Sequence, residues 1–394
     1  MADAESNLRA LLRRVARDQR YDDDDALVAL KPITSGGANY TSNLFLATLS
    51  TPGLPDLNLF AKVASISVKI RSRVNADNLY RTEQIFYNKL VNIWNGFQEK
   101  YQVPEQHRFV FPKYYGGSEE IGNETIILEN LVAGGYMSFS RFKSVDWDQA
   151  SKAVEVLAKY HALSFVLQKE DPAEYKVLLE DLKFVMSDED PEMKGIWERM
   201  VGGAMAVIDQ QHHERIKKFF EAHDGRDLFT KYHMPTHTPI LAHGDFRPSN
   251  LLHKKQADGS VQVIVLDYQT VHTGCPVEDL FYFIFMGTDE EFRRQHYDEL
   301  IELYYAQLGL ALERYQMDVE EVYARKHYDD DLKMMLPYAL LLGIVVLPVV
   351  TVEAESAPKV DNEADLDAFV VAPNELFASR FKGVVNDLLR WDVI

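Results

Sequence analysis

Between residues 33 and 129 the apolar positions fall in short runs, at 44–49, 57–63, 109–115 and 125–129, which predict four strands. One stretch breaks that rhythm: residues 73–94 carry Leu79, Ile85, Phe86 and Leu90 close to helical spacing and predict a long helix. After Asn130 the period lengthens, and helices are expected over 147–168, 191–222, 289–308, 319–328, 332–347 and 374–391. A two-strand ribbon, 250–253 and 261–266 around the charged turn 254–260, interrupts them. Gly134 and Gly135 relax the chain where the two patterns meet. Residues 1–130 are therefore expected as a small sheet-rich lobe and 131–394 as a large helical one, an α+β arrangement with a ligand cleft between the lobes.

Composition narrows the partners. At 46% hydrophobic and 26% charged residues, the chain has the make-up of an ordinary globular protein with a sizeable core. A formal net charge of -19 argues against nucleic acid or an anionic membrane, both of which need a basic footprint. It does not argue against a nucleotide, which brings its own metal and needs only local positive charge. Cys275 is the single cysteine, so an intramolecular disulfide is impossible and a reducing cytosol is the expected location. Residues 5–19 alternate apolar and arginine-rich positions in a helical period and lack the unbroken apolar core of a signal peptide. The uncharged run after Lys333, to Val352, is interrupted by Pro337, Gly343 and Pro348 and reads as buried helix.

The candidate chemistry lies in His243-Gly244-Asp245-Phe246-Arg247-Pro248-Ser249-Asn250 and in the β-branched run that ends at Asp267. In phosphoryl transfer the protein places the acceptor hydroxyl, holds metal ions and spreads the charge of the moving group. Asp245 is positioned to take the acceptor proton, with Asn250 five residues on and Asp267 at a strand tip as metal ligands. Read singly, such residues are ordinary turn formers. Their joint pattern with the small lobe points to catalysis. Gly36, Gly37, Asn39 and Ser42 belong to a loop of small residues ahead of a strand, suited to covering phosphates. Lys62 ends a strand where an inward ammonium needs an anionic partner, either nucleotide phosphates or Glu83 on the next helix.

These residues, with Gly274-Cys275-Pro276-Val277-Glu278-Asp279-Leu280, Leu128-Glu129-Asn130-Leu131 and Leu157-Ala158-Lys159-Tyr160-His161-Ala162, resemble the ecdysteroid kinase-like family of insects. That family lies within the choline kinase and aminoglycoside phosphotransferase group. The resemblance implies a bilobal protein kinase-like fold and phosphorylation of a small-molecule hydroxyl with ATP and Mg2+. It makes Asp245 the base, Asn250 and Asp267 the metal ligands, and Lys62 the phosphate holder oriented by Glu83. It also puts the backbone of Glu129 and Leu131 at the adenine, gives Asp279 and His243 supporting roles, and sets Arg247 and Gln269 near the acceptor. Arg247 either reads a polar edge of the substrate or is simply solvated.

An ecdysteroid, phosphorylated at its C-22 hydroxyl, is the acceptor this resemblance favours. It needs an apolar slot, which the apolar segments 195–208 and 336–350 would either line or fill as core. A choline-type acceptor, in a cage of aromatic and acidic groups, and a dietary plant glycoside stand as alternatives. A binding module without turnover is disfavoured because all five charged and amide positions are intact, and a protein kinase because no Ala-Pro-Glu segment follows Asp267.

Overall fold

The computed structural model describes residues 2–21, 27–34, 42–66, 71, 75–183, 191–222, 230–353 and 370–394. Helix α1 (Ala2–Asp18) precedes strands β1 (Leu27–Ile33), β2 (Ser42–Ser50) and β3 (Leu57–Ala64). With β4 (Tyr114–Ser118) and β5 (Thr125–Glu129) they make an antiparallel sheet in the order β1-β2-β3-β5-β4. Alternation along its central strands divides two environments. Phe45, Ala47, Leu59, Ala61, Val63 and Ile127 pack against Leu8, Leu12 and Val15 of α1, which are spaced to form one helical stripe. On the other face, Leu44, Phe60 and Lys62 turn toward the cleft.

Two differences from the expected strands have physical causes. β1 was not legible because it is an edge strand, exposed at alternate positions and containing Pro32, so it shows little hydrophobic contrast. The apolar run 109–115 enters the sheet only at Tyr114. Before that, Phe109 and Phe111 are core side chains on a connector that includes Pro112, which has no N–H to give a ladder.

Helix α2 runs Ala76–Ile85, widens into a π turn at Phe86–Leu90 and continues Val91–Lys100. Phe86, Tyr87, Leu90 and Trp94 all face inward from this stretch, at spacings that fall on one side of the helix. Phe86 stacks on Tyr268 with ring centroids 3.6 Å apart, joining α2 to the segment that carries Asp267. The Tyr268 hydroxyl donates to the Val265 carbonyl at 3.1 Å, so its burial leaves no polar group stranded.

The larger lobe is built on α3 (Trp147–Glu170), started by a capping box between Asp146 and Gln149. It continues through α4 (Pro172–Asp181), α5 (Pro191–Ala206) and α6 (His213–Ala222). α4 had a readable start, Asp171 capping Glu174 N with Pro172 in the first turn, that the apolar period alone misses. The expected single helix over 191–222 breaks between α5 and α6. β6 (Met137–Ser138), β8 (Leu251–Lys255) and β9 (Val261–Val265) form the ribbon sheet, and β7 (Ile240–Ala242) pairs with β10 (His272–Gly274).

α7 (Pro276–Gly287) is buried at every residue and, through Asp279, holds the backbone at His243 and Gly244. Cys275, at its N-cap, is also buried, and burial pushes its thiol well up, away from nucleophilic use. α8 (Glu290–Glu313) lies along α3. It is followed by the short turn Val319–Val322 and by α9 (Arg325–Met335), α10 (Tyr338–Val345), α11 (Leu347–Thr351) and α12 (Glu375–Arg390). The run expected as one helix over 332–347 is cut at Pro337, as the missing N–H requires. α10 is buried over Tyr338–Ile344 and therefore fills core. No helix among the described residues is long and apolar enough to cross a membrane.

Candidate active site

The cleft is lined by Leu44, Phe60 and Lys62 from the sheet, Glu83 from α2, and Asn250, Leu252, Leu266 and Asp267 from the helical lobe. Glu129, Asn130 and Leu131 form its back edge. Glu129 is held there by its own Lys113 contacts: its backbone N–H donates to the Lys113 carbonyl at 2.9 Å and its side chain accepts from Lys113 N at 2.8 Å. Ser42 is the first residue of β2, and its side chain is hydrogen-bonded to Tyr80. Gly36, Gly37 and Asn39 lie outside the described residues.

Register sets Lys62 between Leu44 on β2 and Ile126 on β5, where its ammonium meets two carboxylates. Lys62 Nζ is 2.6 Å from Asp267 Oδ1, 2.9 Å from Glu83 Oε2 and 3.0 Å from Gln269 Oε1. Burial acts to discharge this lysine, but Asp267 and Glu83 outweigh it and hold the ammonium above its ordinary range. The acids share it unequally. Burial pulls Asp267 up but Lys62 more than compensates, so it sits low, while burial wins at Glu83 and pushes it up. Gln269, expected near the acceptor, thus accepts from the Lys62 ammonium.

Asp267 adopts a left-handed backbone, φ 66 and ψ 66, two residues beyond Val265, the last residue of β9. Aspartate tolerates this conformation better than most residues, and its cost is tolerable where a side chain must be aimed. The β9 period carries no sign of it.

Asn250 ends the short turn Pro248–Asn250. Its amide nitrogen donates to the main-chain oxygen of Asp245 at 2.9 Å and to Asp245 Oδ2 at 2.8 Å. A carbonyl can only accept, so the nitrogen is fixed on that side and the amide oxygen is left to face the cleft. Asp245 is also gripped by Arg247, whose Nε lies 2.8 and 3.0 Å from its two oxygens, and by a side-chain hydrogen bond with Tyr282. Arg247 is buried and donates to Ser249 Oγ at 2.6 Å, which excludes the solvated alternative.

Behind this loop, Asp279 of α7 accepts from His243 N at 2.6 Å and Gly244 N at 2.8 Å. His161 of α3 lies 3.0 Å from the same carboxylate and 2.7 Å from the Tyr304 hydroxyl. The His243 ring reaches the Leu266 carbonyl at 3.0 Å, and burial, the largest influence on it, lowers its basicity. His161, Tyr304 and Tyr282 were not singled out from the sequence. For His161 the conspicuous Lys-Tyr-His-Ala segment was the available signal, but nothing local shows that it faces Asp279.

A family model described as the ecdysteroid kinase-like family matches residues 36–317, more than two-thirds of the chain. The chain belongs to the ecdysteroid kinase-like family. No curated protein matches it. Among solved structures, the GDP complex of wild-type aminoglycoside 2'-phosphotransferase-IIIa is 12% identical, with 96% of this chain and 99% of that chain covered and a TM-score of 0.48. Aminoglycoside-3'-phosphotransferase of type VIII is 15% identical, with 77% and 96% covered and a TM-score of 0.32. Family membership accords with the α+β, two-lobed, kinase-like fold and supports a phosphotransferase with a small-molecule acceptor.

In this ecdysteroid kinase-like chain Gly244 occupies a backbone position that a side chain does not fit. Gly244 has φ 78, and a Cβ there would fall 2.5 Å from the Thr270 carbonyl oxygen and 2.9 Å from His272 Nδ1. Gly244→Ala is expected to displace the segment bearing Asp245, lowering stability by about 1–3 kcal/mol through backbone strain and crowding. A thermal melt beside a turnover assay checks it, and unchanged values in both would contradict the geometry.

Proposed function

We propose that this chain is an ATP- and magnesium-dependent kinase acting on a small-molecule hydroxyl, with residues 1–130 binding nucleotide and 131–394 carrying the catalytic and acceptor sites. The observation that carries the reading is the meeting, in one cleft, of the Lys62–Glu83–Asp267 triad with Asn250, which is itself hydrogen-bonded to Asp245. The Asn250 amide oxygen and the Asp267 carboxylate are hard oxygen donors and fit magnesium, which they would hold. When bound, the metal neutralises charge on the transferring phosphate.

Asp245 accepts the acceptor proton as the hydroxyl oxygen bonds to the terminal phosphorus and the nucleoside diphosphate departs with the electrons of the broken P–O bond. Lys62 exchanges its Asp267 contact for phosphate oxygens while Glu83 keeps it aimed. The backbone of Glu129 and Leu131 meets the base, and the loop of Gly36, Gly37 and Asn39, leading to Ser42, covers the phosphates. Asp279 and His243 position the loop. Arg247 keeps Asp245 turned in the absence of ligand and lies where it can follow charge onto the transferring group.

The acceptor we propose is an ecdysteroid, phosphorylated at C-22 to an inactive conjugate in the cytosol, and the support for it is the family. The test is phosphate transfer from Mg-ATP to ecdysone, 20-hydroxyecdysone, choline, ethanolamine and plant glycosides, with the product located by NMR. A 22-phosphate is the expected result. Product on choline or a glycoside alone would retain the kinase and discard the hormone. Absence of both transfer and ATP binding would end the kinase reading.

A further inference from the structure

Three buried side chains from separate segments converge behind the catalytic loop: His233, His272 of β10 and Glu278 of α7. None of them lines the nucleotide cleft. One donor atom of each lies within 4.8 Å of the other two. His272 Nε2 is 3.1 Å from Glu278 Oε1 and 3.2 Å from Oε2, and His233 Nε2 is 3.5 Å from Oε1. Metal bonds of about 2.0–2.1 Å arranged tetrahedrally separate neighbouring donors by roughly 3.3 Å. The spacing is therefore that of ligands around one zinc-sized ion.

Hydrogen placement sharpens the point. His272 Nδ1 is 2.9 Å from the Thr270 carbonyl oxygen, which can only accept, so Nδ1 carries the proton. In a neutral ring, Nε2 then aims a lone pair at a carboxylate, an arrangement that demands positive charge. A proton is one answer: burial opposes it, but Glu278 prevails and holds His272 up to about 9. Glu278 Oε1 is enclosed and accepts no well-directed hydrogen bond from the described residues, despite its short distance to His272 and its 3.5 Å approach to His233. A divalent cation satisfies all three side chains together, and a histidine whose far N–H is anchored on a carbonyl is oriented as metal ligands are.

We propose that His233, His272 and Glu278 form a zinc site, with Glu278 supplying one or both oxygens. Nitrogen donors separate it from the oxygen-donor pair Asn250 and Asp267, so magnesium does not compete for it. Its role is positional. The His272 ring packs beside Gly244, so the ion ties α7, β10 and the segment containing His233 to the loop that carries Asp245.

The untagged full-length protein, stripped with chelator, would be titrated with zinc against a chromophoric chelator and, separately, with cobalt. Expected are about one equivalent of zinc per chain in the presence of excess magnesium, a tetrahedral cobalt spectrum, and a melting temperature that rises on zinc addition. His233→Gln is expected to lose all three, with its fold checked by circular dichroism. A wild-type protein without the stoichiometric site, or with a weak octahedral cobalt spectrum, overturns the proposal whatever the variant does. So does a folded His233→Gln/His272→Gln protein that still binds one equivalent. Because these readouts need neither ATP nor acceptor, they stand or fall apart from the kinase reading.

Discussion

Asp245→Asn lowers kcat for phosphoryl transfer by about 10²–10⁴-fold, the range expected when a positioned general base is removed, while ATP affinity stays near wild type. The asparagine keeps the shape of the side chain and can still accept from Asn250, so the loop is retained. What it cannot do is take the hydroxyl proton. There is a second cost that this chain in particular should show. Arg247 is buried against Asp245, and neutralising one member of such a pair leaves a desolvated guanidinium, worth up to about 3 kcal/mol of stability. Arg247→Met on top of Asp245→Asn is therefore expected to recover the melting temperature without recovering kcat. If kcat of the single variant tracks its melting temperature, and both return in the double variant, Asp245 is a structural residue and the assignment of the base fails.

The second large effect is on folding. Asp279→Ala removes the acceptor for two backbone N–H groups and for His161, all buried, and should cost about 3–5 kcal/mol. Asp279→Asn should be intermediate, since its one oxygen can serve only one of the two backbone donors. The pH dependence has a definite sign. Burial alone would raise Asp279, but His161 and the loop outweigh it and hold the carboxyl below its ordinary range. A lowered folded-state pKa contributes stability that is present above the unfolded carboxylate value of about 3.9 and is lost as pH falls through the folded value. Urea melts of wild type should therefore weaken steeply below about pH 4, and those of Asp279→Asn more gently. Parallel curves for the two proteins would refute this role for Asp279.

The sequence showed which residue types occur in which order, and that was enough to nominate Lys62, Glu83, Asn250 and Asp267, which line one cleft, and Asp245, which is hydrogen-bonded to Asn250. β3 and β5 were readable because their apolar runs are long and buried on both faces. β1 was not, being exposed and at the edge. The left-handed turn at Asp267 left no trace in the local pattern, because an aspartate after an apolar run reads equally as a strand end. The partners of Arg247 and Gln269 were not legible, because they are decided by side-chain direction. The His161–Asp279 contact spans more than a hundred residues, a separation at which periodicity carries no information.

Helix α2 precedes the sheet's last two strands in the chain, yet its inner face shares a hydrophobic cluster with α3 and α7. The outer sheet face and α1 have a separate cluster of their own. In hydrogen exchange, amides of α2 should consequently slow and quicken with the helical lobe, and those of β1 and β2 with α1. Glu83 and Lys62, bonded in the folded protein, would then belong to different cooperative units, so a partial opening of the sheet parts the ion pair while leaving Glu83 in place beside Asp267.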